Sequence, residues 1–170
     1  MITRCFPSWL RRAGQLFPVP LAARPLLSIS AFRAKFGLRE AAKRELYDEL
    51  IEAELGAYLV AHPSAFDLIV ACDTLVYHGR LDDAVAAAAK ALKSSGRLLF
   101  TLERLADDGG NHPYRLAPTG RFCHRAAYVQ TTLETAGLVD TATDAIVPRL
   151  EYGEPVDGLL VTARAPAHAS

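Results

Sequence analysis

Two short apolar runs dominate the hydrophobic pattern. Phe66–Cys72 reads FDLIVAC and Arg97–Leu102 reads RLLFTL. Runs of this length with almost no polar position predict strands buried on both faces by helices, and Asp73 ends the first abruptly. Between them, Leu81–Lys93 puts Leu81, Val85, Ala88, Ala89 and Leu92 on one helical stripe. Asp82 and Asp83 fall in its first turn and Lys90 and Lys93 in its last, as the helix dipole favours. Ser94-Ser95-Gly96 stops it. Arg125–Ala136 predicts a further helix, ended by Gly137. Ala145–Tyr152 and Gly158–Ala163 predict two strands, and the Gly153-Glu154-Pro155 turn is short enough to make them antiparallel neighbours. Upstream, GLREAAKRELYDEL (Gly37–Leu50) is rich in helix formers, with Leu38, Ala41, Ala42 and Leu46 on one stripe. IEAEL reads as a short strand, and ELGAYLVAH as a brief helix or turn stopped by Pro63.

This alternation of helix and strand predicts an α/β doubly wound sheet, closed by a strand pair in which one member is reversed. Composition adds boundaries. The 170 residues are 51% hydrophobic with a formal net charge of +0, which suits one ordinary globular domain and gives no basic excess for nucleic acid. No apolar run is long enough to span a bilayer. Cys5, Cys72 and Cys123 are scattered without a CxxC pair, so no disulfide framework is expected and a reducing, cytoplasmic setting is the simpler reading. The five histidines show no HxxxH or HExxH spacing, and no metal site is expected.

The first 39 residues are of another kind. They hold Arg4, Arg11, Arg12, Arg24, Arg33, Lys35 and Arg39 and no acid, with Pro7, Pro18, Pro20 and Pro25 interrupting any helix. A targeting segment, a basic surface arm and a frameshifted or mis-started reading frame all account for such a break. The third is favoured, for the reason that follows.

FDLIVACDTLVYHG, the Ala-rich helix and LKSSGRLLFTLE together resemble the central part of class I S-adenosylmethionine-dependent methyltransferases, with FDLIVAC as the fourth of seven strands and RLLFTL as the fifth. Ser95 stands where that family often has glycine. YRLAPTGRFCHRAAYVQTTLETAGL, EYGEPVDGLLVTAR, LYDELIEAEL and DTLVYHG resemble a bacterial branch whose members often carry tetratricopeptide repeats before the catalytic domain. The likeness spans residues 37–164, leaving 1–36 as a basic, Pro-rich segment and 165–170 as a tail. It implies a partial doubly wound, Rossmann-like methyltransferase sheet closing with an antiparallel strand pair. The family's first strand and its D-x-G-x-G-x-G loop are missing: before Gly37 the sole glycine is Gly14, and PLLSISAFRAKFG stands where the second strand and its acidic end belong. Glycine is needed in that loop so that backbone can approach the cofactor closely. A composition break where the likeness begins suggests that another upstream frame encodes the loop, which translation of the upstream DNA in three frames checks.

The resemblance implies S-adenosylmethionine as cofactor, bound weakly or not at all by this chain. Glu54 matches the acid after the third strand, near the adenine amino group; a solvated helix-face carboxylate is the plain alternative. Asp73, at a strand's carboxyl end, would face the methionine ammonium or the substrate; a helix N-cap is its plain alternative. Thr74, Leu75 and Tyr77 would line the cofactor's methionine end. Cys72 reads as a core residue, and neither His78 nor His124 is assigned a catalytic role. Tyr114, Arg115, Arg121 and His124 fall in the region that helps to form the acceptor site in related enzymes. The acceptor, small molecule or protein, is not legible. The competing readings are a non-catalytic remnant or partner-binding α/β domain, and another doubly wound fold.

Overall fold

The computed structural model describes residues 27–30, 43, 49–106 and 110–167, and the chain divides into two compact units, Met1–Leu55 and Gly56–Ser170. In the first unit, β1 (Leu27–Ser30) pairs in parallel with β2 (Glu49–Glu52), in the register Leu27↔Glu49 to Ser30↔Glu52. β1 lies inside the segment where the sequence shows only weak alternation, so an extended run there goes beyond the sequence reading. The helix expected over Gly37–Leu50 lies mostly outside the described residues; its last two positions are strand.

The second unit opens with the helix α1 (Leu55–Ala61), whose first residue closes the first unit. Its first strand, β3 (Phe66–Ala71), runs parallel to β4 (Leu92–Arg104), pairing Leu68↔Arg97 through Ala71↔Phe100. The crossover between them is α2 (Asp82–Ala91), with Asp82 and Asp83 in its first turn and Lys90 in its last, which complements the dipole. β5 (Tyr114–Leu116) and β6 (Phe122–His124) form an antiparallel hairpin within what the sequence suggests is loop, and β6 pairs in parallel with the far end of β4. After α3 (Ala126–Thr135) comes β7 (Val139–Ile146), and the sheet closes with β10 (Gly158–Arg164), antiparallel to both β4 and β7. One reversed strand therefore sits between two that share a direction, as expected.

The strand placed at Ala145–Tyr152 needs correction. β7 spans Val139–Ile146, and residues beyond it form a separate hairpin, β8 (Leu150–Glu151) with β9 (Glu154–Pro155). Pro148 explains the break, because it has no N–H for a continuing ladder. The hairpin turns through Tyr152 (φ 52°) and Gly153 (φ 89°), two left-handed residues in succession, the geometry that matches strand twist.

Burial is also uneven. β4 and β10 form the core: Leu98, Leu99, Phe100, Thr101, Leu102 and Glu103 are consecutively buried, and Leu159, Leu160 and Val161 face them from β10. Val85, Ala88 and Ala91 of α2 and Val129 and Leu133 of α3 supply the helical side. β3 is not enclosed on both faces as its composition suggests: Val70 is 51% exposed. Among the described residues β3 has one strand neighbour, β4.

Candidate functional site

Sheet direction decides where chemistry can sit. Ligands of open α/β sheets bind outside the carboxyl ends of parallel strands, where loops leave the sheet and backbone groups are free. Here those ends belong to β3 and β4, and the carboxylates beside them are Asp73, two residues beyond β3, and Glu103, the last residue but one of β4.

Asp73 has φ 50°, a left-handed conformation that Asp tolerates better than most residues. Its N–H donates to Thr101 Oγ1 at 3.0 Å, fixing the turn to β4. The Thr74 hydroxyl donates to the Cys72 carbonyl at 3.0 Å. A short 3₁₀ turn, Leu75–Tyr77, follows, with Leu75 and Val76 buried and Tyr77 half-exposed. Of the residues assigned to the cofactor, Asp73, Thr74 and Tyr77 thus share one accessible turn, while Leu75 points into the core. Glu54 lies exposed between β2 and α1, in the first unit.

Glu103 is 4% exposed. A buried carboxylate is costly unless charged and hydrogen-bonding partners surround it. Arg149 Nη2 donates to its Oε1, and the Cys123 thiol donates to its Oε2 at 3.5 Å. Arg149 also donates to Glu151 Oε2 at 3.2 Å, and Arg121 Nη1 reaches Glu151 Oε1 at 3.4 Å. Both guanidinium groups approach Asp73 Oδ1 more loosely, Arg149 Nη1 at 3.7 Å and Arg121 Nε at 3.8 Å. The Arg121 guanidinium lies 5.7 Å from the centre of the Tyr77 ring, within cation–π range. Three carboxylates therefore share two arginines, and Asp73, with its side chain 40% exposed and its contacts long, is the least committed of the three.

The electrostatics follow from this packing. Burial alone pulls Arg149 down, but its hydrogen bond to Glu103 and the nearby carboxylate charges carry it above its ordinary value. Burial, then the Glu103 charge, pushes the Cys123 thiol up to about 11; burial, then Asp73, does the same to Cys72. Both are protonated at neutral pH, so neither is a ready nucleophile.

His124, from β6, is fully buried and belongs to an aromatic wall. Its ring stacks at 12° on Tyr128 and lies 5.9 Å from Tyr114. Burial holds its pKa below the ordinary value. Arg115 is exposed on β5. Among the residues placed near an acceptor, Arg121 enters the ionic cluster directly.

Sequence reasoning missed Glu103, Arg149 and Glu151. Glu103 carries a usable signal, being the charged residue that closes an apolar run, as Asp73 does for the other. Arg149 and Glu151 alternate with Leu150 and Tyr152 in what reads as plain strand, so nothing local distinguishes them. Among the described residues, no group of three or more His, Cys, Asp or Glu is placed to hold a metal ion, and no helix is long and apolar enough to cross a membrane.

No family model and no curated protein matches the chain. Solved structures do. The [4+2]-cyclase SpnF aligns with a TM-score of 0.64 at 19% identity, over 86% of this chain and 67% of that one. The 1,6-didemethyltoxoflavin-N1-methyltransferase of Burkholderia thailandensis, with bound 1,6-didemethyltoxoflavin and S-adenosylhomocysteine, gives 0.62 at 12% identity over 84% and 62%. A SAM-dependent methyltransferase of Methanosarcina mazei gives 0.59 at 14% identity over 82% and 81%. The chain spans 54% and 40% of the length of two others.

Proposed function

From a chain with the class I S-adenosylmethionine-dependent methyltransferase fold, we propose that its strand-end site serves methyl transfer from S-adenosylmethionine to a small-molecule or protein acceptor. The observation that carries this reading is Asp73: a carboxylate held at the carboxyl end of β3 by its own N–H, half-exposed, with only long contacts to Arg121 and Arg149. Such a group fits the ammonium of the cofactor's methionine end. Thr74 and Tyr77 share its turn and would flank the same end of the cofactor, with Leu75 supporting the turn from the core.

The bound cofactor supplies a methyl group already activated on a sulfonium sulfur. The chain's residues then need to orient, not to activate: Asp73 fixes the methionine end, and the Arg121–Tyr77 contact forms one wall beside it. A general base is required only for an acceptor that must lose a proton. The sequence contains no D-x-G-x-G-x-G loop, so most backbone contacts to the cofactor are lacking and binding is weak.

A thermal-shift titration with S-adenosylhomocysteine tests this. At ligand about ten times a millimolar-range Kd, the expected stabilisation is roughly 1.4 kcal/mol, abolished in Asp73→Ala. Micromolar affinity would contradict the weak-binding part. No shift at saturating ligand would favour the second reading, a non-catalytic or partner-binding α/β domain. The [4+2]-cyclase among the structural neighbours shows only that the fold alone does not fix the reaction.

A further inference from the structure

We propose that His124 is a positioning residue for the strand-end site: its ring N–H clamps the loop that carries Asp73 and Tyr77. The inference rests on the functional reading above only in taking that loop as the site.

The clamp is defined by partners. Nε2 of His124 lies 3.0 Å from the His78 carbonyl and 2.9 Å from the Gly79 carbonyl. Carbonyl oxygens only accept, so Nε2 carries the hydrogen and shares it between both. Nδ1 is then unprotonated, and it is buried with no hydrogen-bond partner. The two carbonyls follow immediately on Tyr77, and the loop reaches them from Asp73 through the 3₁₀ turn. Gly79 shows how closely the loop is held: a Cβ there would lie 2.8 Å from Tyr114 Cε2 and 2.9 Å from Phe122 Cε1. His124 itself is anchored, because β6 pairs with the end of β4 and its carbonyl accepts the Leu105 N–H at 2.9 Å. The ring thus links a rigid strand to a site-bearing loop.

Amide hydrogen exchange in the full chain tests this without any cofactor. The reporters are the N–H groups of Tyr77 and His78, which close the turn on Thr74 and Leu75; those of Phe100 and Val161, in the core strands, are the internal reference. In His124→Phe, which keeps a ring and loses the donor, the reporters should exchange about tenfold faster relative to the reference. His124→Gln retains an N–H donor and does not titrate, so it should restore protection. Unchanged reporters in the Phe variant, or reporters and reference accelerating together, would overturn the proposal. Failure of S-adenosylhomocysteine to bind would bear on the functional reading alone, since the exchange experiment contains none.

Discussion

The guanidinium of Arg149 lies directly against the buried carboxylate of Glu103, joining the small β8–β9 hairpin region to the carboxyl end of the central strand. Neither charge is well solvated, and each depends on the other. Arg149→Ala should therefore destabilise the protein by about 3–5 kcal/mol, the cost of an uncompensated buried charge. Replacing both residues by leucine should cost less than the single change. Urea unfolding of Arg149→Leu, Glu103→Leu and the double replacement checks this; a double loss equal to the sum of the two single losses would show that the pair is not coupled.

Ser95, near the start of β4, occupies a left-handed position, φ 60°. A side chain there costs roughly 1–2 kcal/mol, while glycine carries an entropic cost of about 0.5–1 kcal/mol. Ser95→Gly should therefore raise stability by a few tenths to about 1 kcal/mol. A lower thermal midpoint in the variant would refute this.

Cys72 and Cys123 both have thiols displaced from 9.0 to about 11. Two pH units correspond to roughly a hundredfold smaller thiolate fraction. Iodoacetamide at pH 7.5 should alkylate both far more slowly in the folded protein than after denaturation. Mass spectrometry of the peptides containing each cysteine reads the ratio, and rapid labelling of Cys72 in the folded state would contradict its burial.

His124 gives a pH dependence with a definite sign. Its folded pKa is below the unfolded value of about 6.5, so the unfolded chain binds more protons in that interval. Its contribution to stability is present above about pH 6.5 and is lost as pH falls from there towards the folded value. Thermal midpoints across pH 5–7.5 should decline more steeply in the wild type than in His124→Gln. Parallel curves would assign the decline to other groups.

The two central strands, both helices and the reversed closing strand were legible because each has a local signature: unbroken apolar runs, a 3.6-residue stripe, a glycine stop. What escaped depends on contacts between distant segments. FDLIVAC suggests a strand covered on both sides, yet Val70 is exposed, since composition records what a strand can bury and not what neighbours it has. The β5–β6 hairpin is only three residues on each side, too short for alternation to declare itself. At the site, Asp73 and Tyr77 were within reach because they follow a strand in sequence. Arg149 and Glu151 arrive from a hairpin whose position is set by Pro148 and by the packing around Gly158, where a Cβ would meet Pro148 Cδ at 2.6 Å.

One edge of β4 changes partners along its length. β3 leaves at Phe100 and β6 begins at Glu103, with only Thr101 and Leu102 between. Thr101 and Glu103 stand two residues apart and so project to one face, where the first fixes the Asp73 turn and the second gathers the arginines. The spacing between those two junctions is a ruler for the whole cluster. Lengthening or shortening it by one residue would turn one of the pair to the opposite side of the sheet, so evolution can vary the loops around this cluster far more freely than the two positions that measure it out.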